Sequence, residues 1–219
     1  MPSREAFRDR PQSVPERRVD LVVHVIGLTV ALVGGGVLVG LKAWQGPGLE
    51  LAGVAIYAIG LAVLFACSAL YNGLHASPRR DLWCRLDQSG IFLMIAGTYT
   101  PFLTKIIDPA WATGLAVAIW SIAVLGIAGT IALHERFNRV AVGIYLVMGW
   151  LAALAIGPLA QSLATSTLVL LTLGGVLYSA GVVFHVWKSL PYQNAIWHVF
   201  VLVAAATHYA AVVDAVLLA

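Results

Sequence analysis

VAVGIYLVMGWLAALAIGPLAQSLATSTLVLLTLGGVLYSAGVVFHVW, residues 140–187, contains no Asp, Glu, Lys or Arg and is bounded by Arg139 and Lys188. A helix rises about 1.5 Å per residue, and about 20 apolar residues cross the hydrocarbon of a bilayer. A single helix through the stretch would be more than twice as long as a membrane is thick. It therefore reads as two spans with a turn between them. The turn belongs between Gly157-Pro158 and Thr165-Ser166-Thr167, where glycine, proline and hydroxyl side chains interrupt the apolar run.

Working outward, further apolar segments cover 19–41, 49–71, 82–104 and 109–133, with 139–157 and 163–187 from the quoted stretch and 194–218 after it. Composition agrees with them. Of 219 residues, 60% are hydrophobic and only 11% charged, with a mean hydropathy of +0.89, whereas a soluble domain carries about 25% charged residues. These proportions exclude a cytosolic enzyme, a disordered chain and a nucleic-acid binder. The expected fold is an all-α membrane bundle of seven transmembrane helices. Residues 1–18 read as a flexible basic cytoplasmic tail and 19–219 as the transmembrane domain. The run from Val19 is too long for a signal-peptide core, and no A-x-A-like cleavage site follows it. Cys67 and Cys84 form no CxxC pair and suggest no disulfide framework.

The few charges orient the bundle. Of the 13 lysines and arginines, all but Lys42 and Lys105 fall on the side that holds the N-terminus. They are Arg4, Arg8, Arg10, Arg17 and Arg18, then Arg79, Arg80 and Arg85, then Arg136, Arg139 and Lys188. The positive-inside rule places that side in the cytoplasm and, with seven spans, the C-terminus outside. The expected location is the cell (inner) membrane, as a multi-pass protein. Trp44 and Trp111 near the outer ends, and Trp83, Trp187 and Tyr192 near the inner ends, suit interfacial belts.

Polar groups inside apolar spans are costly, so each is a functional candidate. Ser68 and Asn72 share a face near the cytoplasmic end of the second segment, and Asp87 lies just inside the third. Asn194 and His198, again four apart, open the seventh. The five positions share one depth and suggest a polar pocket open to the cytoplasm. The alternative is ordinary interhelical hydrogen bonding, worth about 0.6 kcal/mol per contact, with Arg85 pairing Asp87 at the interface. Among the other histidines, His24 reads as a local pair with Asp20, His75 as solvated, and His134 as part of a charged loop. His185 lies near the inner end of the sixth segment. His208 is about 15 Å along the helix from His198 and reads as a packing residue. No phosphate-binding loop is present, and Pro101 is expected to kink the third helix.

SALYN (68–72), RLDQSGIFLMIAGTYTPF (85–102) and NAIWHVFVLVAAATHYAAV (194–212) resemble, in order, the motifs of the hemolysin III family, bacterial relatives of the adiponectin and progestin receptors. The resemblance covers the chain from about residue 19 to 218. It implies seven helices with a cytoplasmic N-terminus and a zinc site near the cytoplasmic side. The implied ligands are a histidine closing an SxxxH motif and two from an HxxxH motif, with an aspartate acting through water. Those positions are here Asn72, Asn194, His198 and Asp87. Two of the three implied histidines are therefore asparagines, and a neutral amide is a weak donor for zinc. One histidine, one aspartate and two amides suit a harder cation or a water network better. His75, three residues beyond Asn72, is a candidate replacement ligand.

Three functions follow as expectations. The first is a non-catalytic role, with the pocket binding a lipid or small molecule or serving membrane homeostasis. The alternative is a metal-dependent lipid amidase or esterase similar to ceramidases, with zinc as cofactor, Asp87 orienting the attacking water and Ser68 supporting the transition state. The third is a pore-forming cytolysin or transporter, against which the almost wholly apolar outer halves of the spans count.

Overall fold

The computed structural model describes residues 12–74 and 77–218, so the expected tail up to position 11 and His75 lie outside the described residues. Every regular element among the described residues is helical. The elements are α1 (Val14–Gln45), α2 (Leu49–Gly73), α3 (Arg80–Leu103), α4 (Pro109–Ala132), α5 (His134–Trp150), α6 (Ile156–Ser162), α7 (Thr165–Val186) and α8 (Gln193–Val213). A 3₁₀ turn, Leu151–Ala155, joins α5 to α6, and a π-helical turn, Asp214–Leu218, ends α8.

Six stretches are long and apolar enough to cross a membrane: α1, α2, α4, α7, the stretch Arg136–Ser162 and the stretch Gln193–Leu218. Their outer faces are apolar, with Val33, Leu125, Val147 and Leu154 all exposed, as helices facing lipid require. The molecule is a multi-pass, all-helical membrane protein. Helix α3 occupies the remaining expected segment and is more polar, with Arg80, Asp81, Arg85 and Asp87 in its first turns.

Two boundaries differ from expectation. Helix α1 begins at Val14, inside the segment expected to be a tail. Ser13 and Glu16 form a reciprocal capping box there, Ser13 N–H donating to Glu16 Oε2 at 2.7 Å and Glu16 N–H to Ser13 Oγ at 3.4 Å. The turn inside 140–187 is narrower than expected. Gly157 and Pro158 are helical, and the chain leaves helical geometry only between Ser162 and Thr165. Pro158 sits in the first turn of α6, where its missing N–H removes no hydrogen bond.

Helix α1 packs along both α2 and α8, α3 packs on α2 and α4, and α7 covers α8. Helices α2 and α3 approach closely at Gly53, where a Cβ would lie 3.2 Å from Pro101 Cα. At the end of the bundle away from Asp20, Glu50 bridges two lysines: Lys42 on one carboxylate oxygen and Lys105 at 2.9 Å on the other.

Candidate functional site

The site grows from one face of α1. Glu16, Asp20 and His24 follow one another at helical spacing, and all three are buried, at 5%, 3% and 2% exposure. Gly27, Ala31, Gly35 and Leu38 continue the same buried face up the helix. The stripe is polar where α1 meets the starts of α8 and the end of α2, and apolar beyond.

Each turn of the stripe makes one tie. Glu16 Oε1 accepts the Tyr192 N–H at 2.8 Å, fastening the start of α1 to the start of α8. Tyr192, in the left-handed region at φ 57°, directly precedes α8. One turn on, Asp20 Oδ1 accepts from His198 Nδ1 of α8 at 2.6 Å. A further turn on, His24 Nε2 is 3.0 Å from Ser68 Oγ and 3.3 Å from Asn72 Nδ2, both on α2.

The network defines the His24 tautomer. His24 Nδ1 is 2.7 Å from the Asp20 carbonyl oxygen, which can only accept. Nδ1 therefore carries the proton and Nε2 accepts from the Ser68 hydroxyl and the Asn72 amide. Asn72 also donates to the Ser68 carbonyl at 2.9 Å. The His24 and His198 rings meet edge to face with centroids 4.2 Å apart. Asp87, on α3, lies against the Ser68 side chain and within electrostatic range of His198 and Asp20. Helix α1 comes this close to α2 because position 27 has no side chain: a Cβ there would lie 2.5 Å from the Phe65 ring.

Four of the five expected pocket residues, Ser68, Asn72, Asp87 and His198, thus come together. For Asn194, no side-chain hydrogen bond to the group is found among the described residues. Asp20 and His24 were expected to be a local pair. They do pair within α1, at 3.8 Å between His24 Nδ1 and Asp20 Oδ1, but each also reaches across to another helix. The signal was in the chain as the 16, 20, 24 spacing of polar residues on one face. Arg85 does not pair with Asp87: its guanidinium binds Asp81 at 2.9 Å and the Ile131 carbonyl. His134 also approaches Asp81, at 3.5 Å. His208 packs against Gly174 and sits 3.2 Å from the Leu171 carbonyl, away from His198.

The donor chemistry separates two ligand sets for zinc. Asn72 spends its amide nitrogen on His24 and Ser68, and a neutral amide is a weak donor for zinc, so the positions implied by the motifs fit zinc poorly. Asp20, His24 and His198 do offer zinc-type donors, one ligand atom each, all within 4.8 Å of one another.

A family model described as haemolysin-III related matches residues 13–209. The chain is 34% identical to a hemolysin-3 homolog of Bacillus subtilis (strain 168), over 90% of this chain and 92% of the relative. It is 35% identical to hemolysin-3 of Bacillus cereus over 87% of each chain. A human protein called monocyte to macrophage differentiation factor is 30% identical over 90% of this chain and 83% of its own.

Proposed function

This chain belongs to the hemolysin III family, and on that premise we propose that it is a seven-span inner-membrane protein working through the polar group at the cytoplasmic end of α1, α2, α3 and α8. Helix α3 is the seventh span, the N-terminus is cytoplasmic and the C-terminus is outside. The group binds a polar lipid headgroup or small molecule without transforming it. One observation carries this reading: Asp20, His24, Ser68, Asn72 and His198 form a continuous hydrogen-bonded chain across three helices. A chain with carboxylate, imidazole, hydroxyl and amide groups together offers donors and acceptors to a polar guest.

Two measurements test it. Alkaline phosphatase fused to the C-terminus is active if that end is outside; an inactive fusion on an inserted, full-length chain refutes the orientation. Mass spectrometry of lipids retained by protein purified in mild detergent tests the binding role. The Ser68→Leu/Asn72→Leu double variant is expected to lose a polar lipid or metabolite that the unaltered chain retains. Equal retention by both refutes the pocket.

The grouping of Asp20, His24 and His198 favours a second reading, the metal-dependent lipid amidase or esterase. A bound zinc would supply Lewis acidity toward a carbonyl. Ser68 and Asp87 stand beside that group, Asp87 placed to accept a proton and Ser68 to donate a hydrogen bond. Release of fatty acid from amide- and ester-linked lipids in nanodiscs distinguishes this reading from the first, provided that Asp87→Asn abolishes the release.

A further inference from the structure

We propose that Asp20, His24 and His198 form a binding site for one divalent transition-metal ion of the zinc type, with the first helix supplying two of the three protein ligands. This rests on the reading of the α1–α2–α8 pocket as the working part of the molecule. Two imidazoles and one carboxylate, with a position left open, are an accepted donor set for zinc. Zinc bonds of about 2.0–2.2 Å put neighbouring ligand atoms roughly 3.3 Å apart in a tetrahedron. The three ligand atoms already lie within 4.8 Å of one another. Asp20 Oδ1 and His198 Nδ1, now hydrogen-bonded at 2.6 Å, separate to admit the ion between them.

The surroundings of His24 argue further. A ligating imidazole characteristically donates its other N–H to a backbone carbonyl or carboxylate, which holds one tautomer and one ring orientation. His24 Nδ1 makes that bond to the Asp20 carbonyl within its own helix, at 2.7 Å. That leaves Nε2 as the nitrogen available to ligate, and it faces Ser68 and Asn72 on α2. The groups now in front of it, the Ser68 hydroxyl and the Asn72 amide, are neutral donors that can turn aside.

Charge completes the case. A dication inside a membrane protein needs compensating carboxylates. Asp20 and Asp87 supply two, and Arg85, the nearest cation along α3, is engaged with Asp81 instead. The Glu16–Tyr192 tie holds α1 against α8 one turn below, and Gly27 seats α1 on α2 one turn above. Where Asn72 and Asn194 withdraw imidazoles from α2 and α8, α1 returns an imidazole and a carboxylate.

Metal content is the test, independent of any activity. The full-length protein in detergent is stripped with chelator and re-equilibrated separately with Zn²⁺ and Co²⁺. Zinc is read by elemental analysis and cobalt by its visible absorption. About one zinc per chain and the intense bands of tetrahedral cobalt are expected. His24→Gln and Asp20→Asn, which keep hydrogen-bonding groups in place, should weaken binding at least about ten-fold. His24→Cys, which still offers a ligand, should retain it, and so should Asn72→Ala and Asn194→Ala. Circular dichroism and size exclusion confirm that each variant is folded. The site is refuted by less than about 0.2 zinc per chain, by undiminished binding in His24→Gln, or by a loss that follows Asn72 and Asn194 instead. A metal-free chain whose retained lipid still depends on Ser68 and Asn72 removes this site alone and leaves the pocket standing.

Discussion

Replacing Asp20 tests whether the α1–α8 contact is a strong tie or an incidental one. The Asp20–His198 bond is 2.6 Å long between side chains that are 4% and 15% exposed. Hydrogen bonds to charged groups contribute about 1.5–3 kcal/mol, whereas contacts between membrane helices average about 0.6 and reach about 1.7. Short length and burial place this pair near the upper end of the membrane range, so a coupling of about 1.5 kcal/mol is expected. Asp20→Ala should cost more, about 2–3 kcal/mol, because it leaves the His198 N–H unpaired as well. Asp20→Asn keeps an acceptor and should cost less than about 1 kcal/mol. The assay is a double-mutant cycle of Asp20→Ala and His198→Ala, by reversible unfolding in mixed micelles followed by circular dichroism. Chelator is present throughout, so that metal binding adds nothing to the coupling. A coupling at or below about 0.5 kcal/mol refutes the argument, because it makes the pair no stronger than an average interhelical contact.

Two further perturbations probe what holds the stripe in place. Glu16→Ala removes the capping box and the acceptor for Tyr192 together, and should cost about 2 kcal/mol in the same unfolding assay, while Glu16→Gln recovers most of the loss. Gly27→Ala brings a Cβ to 2.5 Å from the Phe65 ring. It should lower stability by about 1–3 kcal/mol. Phe65→Leu added to Gly27→Ala should restore part of that, and no recovery would mean the contact is not the cause.

Much of the bundle is legible in the chain because hydropathy is a local property. The spans, their order and the sorting of lysines and arginines follow from a window of about 20 residues, since a bilayer imposes that length on any helix crossing it. Even the exceptions were local. Ser13 and Glu16 carry a capping signature that starts α1 at Val14, and Pro158 is tolerated because it falls in the first turn of α6. Ser68, Asn72, Asp87 and His198 could be grouped by depth alone, because each polar residue stands out against an apolar segment.

By itself, then, the sequence determined that this is a multi-pass helical membrane protein of the hemolysin III family, with polar groups gathered at one end. It also showed that asparagines occupy two positions where histidines were implied. Which residues actually meet was decided by tertiary structure. Rotation of a helix about its axis is set by packing with its neighbours, and no one-dimensional depth argument contains it. Phe65 over Gly27 and Tyr192 on Glu16 turn α1 so that Asp20 faces His198 and His24 faces Ser68. A pair that read as local to the first helix thereby becomes the centre of the site.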